Sequence, residues 1–223
     1  MTDRIGIQEV SRMMALAAAR IREQHPLLSQ LDCVAGDGDH GTTMVRIMDR
    51  LETAFQRDAG ADLSTSFCNA GWSVMGSDGG ASSSLLGAFF LGIGEATQAG
   101  VLSWDCDGFA AALQSGLQAV QVQTKARPGD KTMMDALTPA VETFAAEAEA
   151  GKGMFEAVKA AAAAAKAGAA ATETLIARYG RARLLGERTK GHQDPGAASV
   201  ALIFEGFATA LSEIKGGTEY ARH

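Results

Sequence analysis

The stretch Leu31–Phe55, LDCVAGDGDHGTTMVRIMDRLETAF, joins two kinds of sequence. Its second half spaces Met44, Ile47, Met48, Leu51 and Phe55 three and four apart, the period of one helix face. Its first half has no period and is dense in glycine and aspartate, residues that disfavour a helix interior. Working outward, the helical period returns in Val10, Met13, Met14, Ala17 and Ile21, then in Phe109, Leu113, Leu117 and Val120. It returns again in Leu137, Val141 and Phe144, and in Val200, Ile203, Phe204, Phe207 and Leu211. The Ala-rich run from Ala157 to Ala171 also favours helix, because alanine loses least on entering one. No segment alternates apolar and polar residues over strand length. The pattern predicts an all-α chain of roughly eight helices and no sheet.

Composition narrows the class further. The chain has 223 residues, of which 47% are hydrophobic and 21% charged, an ordinary globular balance. That excludes a disordered tail and a collagenous fibre. Twenty Lys and Arg against 26 Asp and Glu give a net charge of −6, and no dense basic run argues for nucleic acid. Cys33, Cys68 and Cys106 are odd in number and far apart, which fits neither a disulfide framework nor a CxxC zinc site. The start MTDRIGIQEVSRMM has no apolar leader, and no uncharged apolar span approaches the ~18–20 residues that cross a bilayer. A cytoplasmic chain without a membrane partner is expected. No Pro- or Gly-rich linker divides it, so residues 1–214 are read as one domain, and 215–223 as a tail that frays.

The loops are richer than helix connections require. Asp32, Asp37 and Asp39 gather three carboxylates within eight positions, with Gly36, Gly38 and Gly41 around them. Such charges repel unless a cation lies among them, and an oxygen-only set suits Mg²⁺, Mn²⁺ or Ca²⁺. The loop GSDGGASSSLLGAFF, 76–90, leads glycine and serine into an apolar helix, a suitable phosphate cradle. Asp78 adds a carboxylate to it, which must point away from phosphates or face a metal. No Walker A loop occurs, and the Gly129–Thr132 run GDKT resembles only its end. Asp194 and Pro195 read as the N-cap and first residue of the last helix. Arg181, Arg183, Arg188 and Lys190 precede them as a basic group, and arginine partners phosphate well. His40 and His192 stand in Gly/Asp-rich loops, able to meet a phosphate or to orient a loop. Carboxylates, cradle and guanidinium together suit metal-assisted polyphosphate chemistry.

Four motifs in order then carry a resemblance. They are Gly36–Gly41 (GDGDHG), Gly79–Ser82 (GGAS), Pro128–Met133 (PGDKTM), and Leu185–Arg188 (LGER) with Gly191–Ala197 (GHQDPGA). Over residues 8–212 the chain resembles the DhaL subunit, or nucleotide-binding domain, of dihydroxyacetone kinases. The resemblance implies an antiparallel barrel of eight helices with the nucleotide at one rim. It implies ATP or ADP as the nucleotide, with two Mg²⁺ ions on Asp32, Asp37 and Asp39. His40, Gly41, Thr42 and Thr43, with Gly80, Ala81 and Ser82, would line the phosphate site. Thr43 stands where members often carry Asn. Thr124, Met133, Arg181, Asp194, Pro195 and Gly196 would complete the pocket, with Met133 near the adenine. Asp32, Asp37, Asp39 and Arg181 would serve catalysis.

The implied activity is phosphoryl transfer to a small ketose, dihydroxyacetone or a tetrulose, held on a separate DhaK-type subunit. Two donors stay open: exchanging ATP, or bound ADP rephosphorylated by a DhaM-type phosphotransferase protein. A homodimer also stays open. The alternative from another class is a nucleotide-loaded regulatory module that signals to a transcription factor.

Overall fold

The apolar stripes become the inward faces of helices. A computed structural model describes residues 4–77 and 80–220. Among them are nine α-helices: α1 (Ile7–Glu23), α2 (His25–Cys33), α3 (His40–Arg57), α4 (Leu63–Met75), α5 (Gly80–Ala96), α6 (Cys106–Gln123), α7 (Met134–Glu149), α8 (Met154–Ala171) and α9 (Pro195–Tyr220). Two 3₁₀ segments, Thr172–Thr174 and Arg181–Thr189, lie between α8 and α9. The expectation of no sheet is corrected by a small antiparallel pair, β1 (Ile5–Gly6) with β2 (Ser103–Trp104). Two residues are too few to show alternation in a sequence.

Eight of the helices form a closed ring. Each of α3 to α8 packs against the next, α9 packs on α1, and α1 packs on α3. The short α2 stands outside this circuit, bridging α1 to α3, and buries a single residue, Leu28. Helix starts are set by local chemistry. The Asp62 carboxylate accepts from the Thr65 amide at 2.8 Å and Asp105 accepts from Gly108 at 2.9 Å, each satisfying an orphan amide of a first turn. Close approach is set by small residues: a side chain on Gly71 of α4 would stand 2.6 Å from the Leu91 amide nitrogen of α5.

The two ends of the ring differ. Phe55, Phe67, Trp104, Phe109 and Phe144 form a chain of ring contacts with centroids 4.9–5.4 Å apart. They come from the C-terminal turns of α3 and α7, the first turns of α4 and α6, and β2, so they plug one end. At the other end begin α3, α5, α7 and α9, which open toward a shared cavity. Alternate helices thus start at the same rim, as an antiparallel ring requires.

Helix α9 continues past Lys215, where the sequence suggested a tail; 221–223 lie outside the described residues. Lys215 pairs with Glu156 and lies over the Phe155 ring. Among the described residues, Pro195–Lys215 is long and apolar enough to cross a bilayer, yet 56% of that window is buried in the ring.

Candidate functional site: an acidic loop facing four helix starts

The open rim holds a cavity of about 510 Å³. Its lining includes Asp32, Asp37, Asp39, His40, Thr43, Gly80, Ala81, Ser82, Thr124, Met133, Arg181, Asp194, Pro195 and Gly196. These are fourteen of the sixteen residues that the sequence marked for the site. The other two, Gly41 and Thr42, are not in that lining. Both face α2. A side chain on Gly41 would collide with the His25 carbonyl and the Ser29 hydroxyl, so glycine there lets α2 lie against α3. The Thr42 hydroxyl meets His25 Nε2 at 3.1 Å.

The carboxylates of Asp32, Asp37 and Asp39 each offer an oxygen within 4.8 Å of the others. The loop shape follows from its own bonds, since Asp32 accepts from the Gly38 amide at 2.9 Å, and Gly38 takes a positive φ of 78° that glycine adopts readily. Arg181 reaches across to Asp37, and its guanidinium holds the Asp37 carboxyl below the usual carboxylate range. Asp39 is pushed the opposite way, first by burial and then by Asp37 and Asp32 beside it. One guanidinium against three carboxylates leaves a net negative nook. That residue chemistry fits a hard divalent cation.

Around the acidic loop, the first turns of α3, α5, α7 and α9 bring positive dipole ends to the cavity wall, an arrangement suited to phosphate oxygens; the first amides of α7 and α9 are already taken by Thr132, Met133 and Asp194. His40 opens α3, but its Nε2 is committed to Ser199 Oγ at 2.8 Å, and burial depresses its pKa. It is a strut between α3 and α9, with the Pro195 backbone as a further hydrogen-bond partner. Asp194 fulfils the cap reading: its carboxylate accepts from Ala197 at 2.7 Å, just before α9 begins at Pro195. Burial, with Asp135 nearby, pushes its carboxyl up to about 7. Of the basic group before α9, only Arg181 lines the cavity; Lys190 pairs locally with Glu187 at 2.8 Å. The His192 side chain does not line it either. Asp78 and Gly79 lie outside the described residues.

Lys131 is the residue that sequence reading passed over. It is 5% exposed and lines the cavity. It is the described non-glycine residue with a positive φ, 59°, a conformation kept only where surroundings enforce it. Its ammonium donates to the carbonyls of Thr172 and His192, both at 2.5 Å. Those carbonyls flank the segment that carries Arg181, so one buried cation clamps both feet of a strap over the cavity. The Asp194 amide donates to Thr172 Oγ1 at 2.9 Å and Gly191 to the Glu173 carbonyl at 2.8 Å, reinforcing the clamp. In GDKT the signal lay within a motif that only resembled a phosphate loop.

Fold and site define a helical ring domain whose open rim gathers three carboxylates, an arginine and four helix starts around one cavity. Residues 34–209 match the DAK2 domain, and the chain belongs to that family. It is 38% identical over 186 residues to the Escherichia coli "PEP-dependent dihydroxyacetone kinase, ADP-binding subunit DhaL", covering 83% of this chain and 88% of that one. A Listeria innocua "PEP-dependent dihydroxyacetone kinase 1, ADP-binding subunit DhaL" is 37% identical, covering 83% and 87%. The "L-erythrulose 1-kinase" of Mycolicibacterium smegmatis is 35% identical, but this chain spans 32% of it. Among solved structures, the dihydroxyacetone kinase of C. freundii in complex with AMP-PNP and Mg2+ aligns with TM-score 0.68 and 27% identity, covering 90% of this chain and 33% of that one. This chain therefore spans about a third of that kinase. The relatives are kinases or the ADP-binding subunits of kinases.

Proposed function

We propose that the chain is the nucleotide-carrying subunit of a dihydroxyacetone-type kinase, with residues 1–214 as its nucleotide-binding unit. It would hold ADP or ATP in the rim cavity, with two Mg²⁺ ions on Asp32, Asp37 and Asp39, and work with a separate DhaK-type subunit that presents the ketose. The observation that carries this reading is the gathering of three carboxylates, Arg181 and four helix starts around one cavity. When bound, Mg²⁺ would neutralise polyphosphate charge and stabilise the transferred phosphoryl group.

This chain's residues would do the rest. Amides at the starts of α3 and α5 would hold the phosphates in register. Arg181, reaching the acidic loop from the opposite wall, would set a forked donor beside the terminal phosphoryl group. Met133, 7% exposed in the cavity wall, would offer an apolar contact to the base. Lys131 would keep the strap that carries Arg181 closed over the site. Bound ADP rephosphorylated by a DhaM-type phosphotransferase protein is the favoured donor. What supports this is the naming of the Escherichia coli and Listeria innocua relatives, which this chain covers to 88% and 87%, as PEP-dependent ADP-binding subunits.

The test mixes the purified chain with a ketose-binding subunit, Mg²⁺ and either dihydroxyacetone or erythrulose. ATP or a phosphoenolpyruvate-driven phosphotransfer chain is supplied, and ³¹P NMR follows the product. Sugar phosphate from the phosphoenolpyruvate arm is expected. Product from ATP alone would reverse the donor assignment, and product from neither would refute the kinase reading for both ketoses.

A further inference from the structure

A second groove, of about 380 Å³, runs between α3 and α4 on the outside of the ring. Arg46, Arg50 and Arg57 line it, with Asp49, Thr53 and Ser73. At about 100° per residue, positions 46, 50 and 57 fall within about 40° of one another on the helix. They form a straight basic stripe about 16 Å long at ~1.5 Å rise per residue. In a chain of net charge −6, this concentration of one sign calls for a cause.

The carboxylates that α3 could offer are already spent. Arg22 of α1 takes Glu52 and also Asp49, the carboxylate in the groove lining, both at 2.6 Å. Asp58, at the far end, accepts from Asn69 at 2.8 Å. Among the described residues, no carboxylate pairs with Arg46, Arg50 or Arg57. Arg50 donates instead to the Ser73 carbonyl at 3.1 Å and Arg46 to Thr43 Oγ1 at 3.3 Å, which orients each guanidinium and leaves most of its donors free. On α4, next to Ser73, Trp72 is 61% exposed. Arginine and tryptophan are the residue types that dominate protein interfaces.

Position completes the argument. Thr43, which Arg46 touches, lines the nucleotide cavity. Helix α4 ends at Met75, and the first residues of α5, Gly80–Ser82, also line that cavity. The groove therefore starts at the same rim and descends the ring wall. We propose that it is a charge-selective docking groove for an acidic segment of the protein that brings the phosphoryl acceptor to this rim. Carboxylates of that segment would pair with the arginine stripe, and an apolar contact would cover Trp72. The partner's identity rests on the kinase reading above; the groove's preference for acidic protein does not.

The experiment uses the full chain and two variants, Arg50→Glu with Arg57→Glu, and Trp72→Ala. Isothermal titration measures association with a ketose-binding subunit at low and high salt, and ADP binding serves as control. Charge reversal should weaken association by at least about tenfold and flatten its salt dependence, while ADP affinity stays as in the parent. In a second arm, a hexaglutamate peptide is titrated by NMR, with shifts expected along α3 and α4 that the charge-reversed variant lacks. Partner affinity unchanged by charge reversal would overturn the proposal, as would peptide shifts mapping elsewhere. Equal competition by inorganic phosphate would also overturn it, because the groove would then be a small-anion site. A partner that fails to bind even the parent, with the peptide mapping to the groove, would refute the partner assignment alone.

Discussion

The two ends of the helix ring are built from opposite chemistry. At the plugged end, Phe55, Phe67, Trp104, Phe109 and Phe144 pack in a dry column of mostly edge-on and tilted ring contacts. At the open end, carboxylates, helix starts, a buried lysine and a bridging arginine surround a cavity. The first arrangement lowers the free energy of the fold by burying apolar area. The second crowds like charges and keeps a lysine at positive φ, which costs stability unless a ligand offsets it. The ring divides its labour along its axis: one end holds it closed, and the other end holds it ready.

Changes at the plug should move stability and leave ligand affinity alone. Phe67→Ala is expected to cost about 3–5 kcal/mol in urea unfolding, with nucleotide affinity of the folded protein unchanged. An equal loss of nucleotide affinity would dissolve the distinction between the ends. At the open end, Lys131→Met removes two charge-assisted hydrogen bonds and should cost about 2–3 kcal/mol. Hydrogen exchange should then rise across 172–194 and not across the plug, and nucleotide affinity should fall. Uniform exchange would contradict the clamp.

A third change sharpens the comparison through pH. The Asp194 carboxyl is raised from 3.8 to about 7, so the folded chain binds this proton more tightly than the unfolded chain. Stability of the ligand-free protein should therefore fall as pH rises from about 4 to about 7. Asp194→Asn keeps a capping side chain and should flatten that slope in thermal melts from pH 4 to 8. An unaltered slope would assign it to other groups. Smallest is Asp62→Ala at the start of α4, away from the site. It should cost about 1 kcal/mol in chemical denaturation and leave ligand binding unaffected.

Most of the ring was legible in the sequence. Met44, Ile47, Met48, Leu51 and Phe55 are all buried, as are Val200, Ile203, Phe204, Phe207 and Leu211. Stripes survive because each ring helix has one wet face and one dry face. Helix α2 escaped notice because it buries only Leu28 and carries no stripe, and β1 with β2 is too short to alternate. The site was legible wherever chemistry was dense, in the aspartates and in Asp194–Pro195. It was hidden where a role depended on distant partners. Lys131 meets carbonyls 41 and 61 positions away, and the basic character of the α3 stripe depends on Arg22 capturing its neighbouring acids. Gly41 also gives α2 room against α3, a role that no local pattern announces.

The central claim is that the acidic loop and the helix starts make one metal-dependent nucleotide site. Calorimetric titration of ADP into the full chain, with Mg²⁺ and then with EDTA, beside Asp37→Ala, tests it most directly. The account predicts tight binding in Mg²⁺, a loss of at least about 100-fold in EDTA, and a similar loss in Asp37→Ala with its melting temperature kept. ADP affinity that is indifferent both to EDTA and to Asp37→Ala would contradict it.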